Sequence, residues 1–137
     1  MNIFPLPLVM IIDDNRIDNI FNKKMIEREK LGEKIVLFSD VESAWSYLSV
    51  FKDSSLDLIP SLIFLDLTMP LKNGYSFLEL YKTLPLAIRN NIKIIIISSN
   101  IVSDAEEQEL KNNYPVLACL TKPLKRNDIK SLMVQNL

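Results

Sequence analysis

Five short apolar runs do most to limit what this 137-residue chain can become: "LVMII" (8–12), "KIVLF" (34–38), "SLIFL" (61–65), "IKIIII" (92–97) and "VLACL" (116–120). Most are too continuous to have a wet face, so they read as strands buried on both sides, the condition of a parallel sheet. Between them, Ile17, Ile20, Phe21 and Met25 fall near helical spacing, as do Ala44, Trp45 and Leu48, then Phe77, Leu78 and Tyr81. Each set predicts a helix that buries one side. "SDVE" (39–42) and "SDAE" (103–106) fit the capping box, with Ser accepting an amide hydrogen and Glu reaching back, and so predict two helix starts. An amphipathic stretch at 127–134 completes five β-α units, which calls for a parallel sheet covered by helices on both sides. The segment "KDSSLDLIPS" (52–61) is expected as a solvated loop.

Composition removes several function classes. Lys plus Arg number 16 against 17 Asp plus Glu, so the net charge of −1 gives no electrostatic reason to expect nucleic acid or an anionic membrane as partner. The chain has no histidine, which excludes His-based triads, zinc sites and general bases. Only two glycines, Gly32 and Gly74, leave no room for a Gly-rich nucleotide loop. A lone cysteine cannot close an internal disulfide, and the opening apolar stretch has no basic leader and is broken by Pro5 and Pro7. A cytoplasmic protein is therefore expected, folded as one domain over residues 6–134 with no second domain.

The polar residues that interrupt the pattern share one location. Asp13 and Asp14 follow the first run, Asp66 follows the third, Ser98 and Ser99 close the fourth, and Lys122 follows the fifth. All lie at carboxyl ends of strands, the edge of an open parallel sheet where ligands bind. Taken singly, each reads as a helix cap. Together, three carboxylates in one half-buried crevice repel one another unless a cation sits among them. A hard divalent ion, magnesium (Mg2+) rather than calcium, suits so few protein oxygens, and Lys122 with Ser98 suits a phosphoryl group.

The "DD" at 13–14, "DLTMPLKNG" from Asp66 to Gly74, Ser98 closing "IIIIS" and "KP" at 122–123 resemble, in order and on alternating β-α units, the receiver domain of bacterial two-component response regulators. The resemblance implies a flavodoxin-like doubly wound (βα)5 fold, a five-stranded parallel sheet in the order 2-1-3-4-5. It implies Asp66 as phosphoacceptor, taking a phosphoryl group from a sensor histidine kinase or a His-phosphotransfer protein. Asp14 would hold Mg2+ directly, Asp13 mainly through water, and Thr68 through its backbone carbonyl, with Asp66 completing the set. Lys122 would pair with a phosphoryl oxygen and Ser98 would be the switch hydroxyl. Thr68 and Asn100 would set the lifetime of the phosphoryl group, and the Lys122–Pro123 peptide would be cis. Met69, Pro70 and Gly74 are expected to shape the turn after Asp66.

One position departs from the pattern. The family usually has Tyr or Phe three residues before the lysine, where this chain has Cys119, expected as a small buried hydrophobe. No ring is available there to turn. A hydrogen bond from Ser98 to a charged oxygen supplies ~1.5–3 kcal/mol, whereas inverting a two-state equilibrium takes about 5.5 kcal/mol. Phosphorylation is therefore expected to shift the output face, made by the fourth helix, fifth strand and fifth helix, only in part.

The resemblance leads to a stand-alone receiver, monomeric or weakly dimeric, acting on an output partner and not as an enzyme. Two rivals differ in class. A magnesium-dependent phosphatase with an aspartyl nucleophile needs a second acid two residues on, where Thr68 stands, and would turn over phosphate esters steadily. A degenerate receiver would keep the fold as an interaction module and ignore phosphate, which the full acidic set argues against.

Overall fold

In the computed structural model, which describes residues 4–51, 58–69 and 73–135, the apolar runs form one sheet. Its strands are β1 (Leu6–Ile12), β2 (Gly32–Phe38), β3 (Leu62–Asp66), β4 (Lys93–Ser98) and β5 (Val116–Thr121). They lie in the order β2-β1-β3-β4-β5, every neighbouring pair parallel. The helices are α1 (Arg16–Arg28), α2 (Val41–Ser49), α3 (Gly74–Tyr81), α4 (Leu86–Arg89), α5 (Asp104–Asn113) and α6 (Arg126–Val134). The expected doubly wound α/β fold is present, with a single-turn α4 added after Pro85, so that the fourth and fifth helices of the sequence reading are α5 and α6.

Alternate residues of the strands feed two cores. Met10, Ile12, Ile63, Leu65, Ile94 and Ile96 face α2, α3 and α5, meeting Leu48, Phe77 and Leu110. Val9, Ile11, Leu62, Phe64, Ile95 and Ile97 face α1 and α6, meeting Ile26, Ile129 and Leu132. Each fully buried aliphatic or aromatic side chain contributes about 1.5–3 kcal/mol relative to exposure. The central strands thus hold the sheet rigid, while β2 and β5, at its edges, are only half covered.

Helix α1 overturns the expectation from spacing. Ile17, Ile20 and Phe21 point to solvent, and Asn19, Asn22 and Ile26 point inward. The reason is local: Asn19 Nδ2 donates to the carbonyl of Asp13 at 2.7 Å, so the polar side of the helix is what the end of β1 needs. At α2 the cap is Asp40, whose carboxylate accepts from the Ser43 amide at 2.6 Å, and not the expected Ser39. Ser103 does cap α5, accepting from the Glu106 amide at 3.1 Å. The Glu106 carboxylate is engaged by the Tyr75 hydroxyl of α3. Most of the expected 52–61 loop, and Pro70 of the expected turn, lie outside the described residues.

Candidate functional site

The strand order reverses at β1, whose neighbours β2 and β3 leave in opposite directions, so the crevice opens between the ends of β1 and β3. Asp13 and Asp66 stand at those two ends and are both buried. Asp13 is fixed by its own amide, which donates to Phe38 at 3.0 Å and extends the ladder by one residue. Its Oδ1 accepts from the Asn15 amide at 2.9 Å, and Asn15 in turn caps α1. Asp66 Oδ1 accepts from the Thr68 amide at 3.0 Å, and the Leu67 carbonyl accepts from the Gly74 amide at 3.0 Å. This second bond seats the start of α3 directly beneath the loop that carries Asp66.

Lys122 enters from the far side. Its amide donates to the Ser98 carbonyl at 2.8 Å, and its peptide bond to Pro123 is cis. Its Nζ lies 2.6 Å from Asp13 Oδ2, 3.0 Å from Asp18 Oδ2 and 3.2 Å from Asp66 Oδ2. The contact with Asp13 is one of charge, because Oδ2 is out of hydrogen-bond alignment and, although buried, has no hydrogen-bond partner. Burial pulls the Lys122 ammonium down, but its close contacts with Asp13 and Asp18 and the charges of Asp13 and Asp66 outweigh it and hold it above its ordinary value. Asp13 is held above the usual carboxylate range by burial, opposed by Lys122 and the Asn15 amide.

Asp14 is exposed at the mouth. One carboxylate oxygen from each of Asp13, Asp14 and Asp66 lies within 4.8 Å of the others, an arrangement able to hold a metal ion. The set is all oxygen, and Asp13 Oδ2, buried and with no hydrogen bond beside its ion pair with Lys122, is the kind of atom that a hard cation also satisfies, so the residues present fit the ion the sequence implies.

On the other side of Asp66 a cleft of ≈ 340 Å³ is lined by Thr68, Met69, Ser98, Asn100, Tyr75 and Glu106 among others. Ser98 is buried and its Oγ accepts from the Asn100 amide at 3.1 Å, which leaves its own O–H proton as a donor. Thr68 and Asn100 are exposed at the rim. Cys119 is half-buried and packs against the core under α5. Burial pushes its thiol up to about 11, so it is protonated and unreactive at neutral pH.

Asp18, 3.0 Å from the Lys122 ammonium, is the pocket neighbour that apolar spacing does not reveal. The cue is polar: Asn15 and Asp18 are separated by the N-x-x-D spacing of a helix start, Asn15 Oδ1 accepting from the Asp18 amide at 3.0 Å, immediately after the Asp13–Asp14 pair.

Fold and crevice together define a doubly wound α/β protein with an acidic pocket at its switch point and a lysine across it. The chain belongs to the response regulator receiver domain family, whose sequence profile matches residues 9–134. It is similar to the crystal structure of a response regulator receiver protein from Dyadobacter fermentans, with a TM-score of 0.77 and 28% identity over 92% of this chain and 94% of that one. It is similar in fold to a two-component response regulator from Cytophaga hutchinsonii, with a TM-score of 0.76 and 24% identity over 92% of each chain. No curated protein sequence matches the chain. Among the described residues no helix is long and apolar enough to cross a membrane.

Proposed function

We propose that the chain is a phosphoacceptor of a two-component phosphorelay in which Asp66 receives the phosphoryl group. The observation that carries this reading is the convergence of the Lys122 ammonium on Asp13 and Asp66 at the switch point. A carboxylate oxygen of Asp66 attacks the phosphorus of a phosphohistidine on a sensor kinase or a phosphotransfer protein. The new O–P bond forms as the P–N bond breaks, and the imidazole leaves with the electron pair. A carboxylate nucleophile has no proton to lose as it attacks, so no general base is needed, and the absence of histidine is no obstacle.

Such a transfer spreads charge over equatorial oxygens, so positioning and charge neutralisation supply most of the catalysis. Lys122 neutralises one oxygen and the Ser98 O–H donates to another. Asp13, Asp14, Asp66 and the Thr68 carbonyl would hold Mg2+, whose contribution when bound is to offset the negative charge shared by the carboxylates and the phosphoryl group. Thr68 and Asn100, at the rim, govern access of water to the acyl phosphate.

The exposed apolar row Ile17, Ile20 and Phe21 begins beside the pocket mouth and offers a surface to a phosphohistidine carrier. Phe21→Asp is expected to leave phosphoryl uptake from a small donor unchanged and to slow transfer from a phosphohistidine protein about tenfold or more, read by intact mass over time. Output would pass through α5, β5 and α6. There Tyr75 is tied to Glu106 and Tyr114 to Glu79, two links between α3 and the α5 region that any shift has to break. These links add to the reasons for a partial response.

The test is incubation with Mg2+ and a small phosphodonor, followed by intact-mass measurement of the wild type and Asp66→Asn. Wild type alone should gain one base-labile phosphoryl group. Uptake by Asp66→Asn, or steady release of phosphate far beyond one turnover, would overturn the reading, the latter in favour of a phosphatase.

A further inference from the structure

The ammonium of Lys122 has three protons and three carboxylates within 3.2 Å. Two of these partners have other work in the proposed function. Asp13 and Asp66 both belong to the oxygen cluster able to hold a cation, and Asp66 gives up its negative charge when it becomes an acyl phosphate. Asp18 belongs to neither arrangement. It stands on the first turn of α1, a third exposed, with its amide held by Asn15 Oδ1 at 3.0 Å. Its Oδ2 lies 3.0 Å from Nζ in good hydrogen-bond alignment.

We propose that Asp18 is the permanent anchor of Lys122, a positioning residue that keeps the ammonium beside Asp66 whenever Asp13 is committed to a cation. The inference rests on the reading of Asp66 as phosphoacceptor and adds a residue to it. Lysine carries a compact charge on four rotatable bonds, so its head is placed by partners and not by its own stiffness. With Asp13 engaged elsewhere and Asp66 neutralised, Asp18 is the only one of the three carboxylates left to hold it. The acyl phosphate then meets an ammonium already in position, with a proton released from Asp66 free to bond the phosphoryl oxygen. A purely structural role, in which Asp18 only favours the positive end of α1, would act without regard to Lys122 or to metal.

These alternatives part in the proton exchange of the Lys122 ammonium, followed by NMR on 15N-lysine-labelled protein at low temperature. In the wild type its signal should persist both without and with saturating Mg2+. In Asp18→Asn it should persist without Mg2+, where Asp13 and Asp66 still hold it, and broaden away once Mg2+ is added. At saturating Mg2+, Asp18→Asn should take up phosphoryl from a small donor about tenfold more slowly than wild type. In a Lys122→Ala background the same substitution should change the residual rate by less than about twofold. Equal ammonium behaviour in wild type and Asp18→Asn with Mg2+, or an undiminished effect of Asp18→Asn without Lys122, overturns the proposal. Asp18→Ser serves in its place if the asparagine variant fails to fold. Should wild type take up no phosphoryl at all, the phosphoacceptor reading fails, while the ammonium comparison still decides for or against Asp18.

Discussion

Lys122→Ala is expected to lower the stability of the metal-free protein at neutral pH by about 3 kcal/mol. Removing one partner of a buried ion pair costs about 3–5 kcal/mol, because the other charge is left without compensation. The low end applies because the pocket admits water at its mouth, where Asp14 is exposed and Asp18 partly so. Asp13 bears most of the loss. It is fully buried, and apart from Lys122 only the Asn15 amide favours its ionised form.

The variant should also respond to pH in a definite direction. Burial already holds Asp13 above its ordinary value in the folded protein, and loss of the ammonium raises it further. A carboxyl whose folded value exceeds its unfolded value binds protons more tightly when folded, so stability rises as pH falls from that folded value toward the unfolded one, about 3.9. The same trend should be present and weaker in wild type. A divalent cation supplies the missing positive charge, so Mg2+ should restore more stability to Lys122→Ala than to wild type. At about a hundred times its dissociation constant a ligand adds about 2.7 kcal/mol. Urea midpoints in chelator and in Mg2+, at neutral and mildly acidic pH, read all of this. A variant as stable as wild type in chelator would show that Lys122 does not neutralise the pocket.

Apolar continuity suffices to place β1, β3 and β4 because the central strands are buried on both faces, and position in a doubly wound sheet then brings Asp13, Asp66, Ser98 and Lys122 to one edge. Periodicity misplaces α1 because it assumes that the apolar side turns inward. Here the carbonyl of Asp13 demands Asn19, and Ile17, Ile20 and Phe21 remain outside. Ser39 and Asp40 are adjacent and equally suited to cap a helix, and only the backbone direction chooses Asp40. The α4 turn spans barely one period and leaves no pattern to read. Asp18 has the look of an ordinary acid in a first helical turn, and its role comes from Lys122, 104 residues away.

Gly74→Ala is expected to damage both stability and the site, and the reason is space and not conformation, since no glycine here has positive φ. A Cβ at Gly74 would lie 2.6 Å from the Asp66 carbonyl oxygen and 2.8 Å from Leu67 Cα, both backbone atoms that cannot rotate aside. Alanine in a helix interior gains about 1 kcal/mol over glycine, and less at a first position such as this. Overpacking a filled site costs about 1–3 kcal/mol, occasionally more, so the clash wins. Relief requires α3 to back away from the loop, which breaks the Gly74 amide bond to Leu67 and moves Asp66 relative to Asp13 and Lys122. A misplacement of about 1 Å at a reacting group can cost about 100-fold in rate, so phosphoryl uptake should fall by at least tenfold. Gly32→Ala is the control. Its Cβ would press on the Val9 side chain at 2.7 Å, at the opposite end of the sheet. That variant should lose stability and keep its uptake rate once corrected for the folded fraction. If Gly74→Ala also keeps its rate, the close seat of α3 under the phosphoacceptor loop serves folding alone.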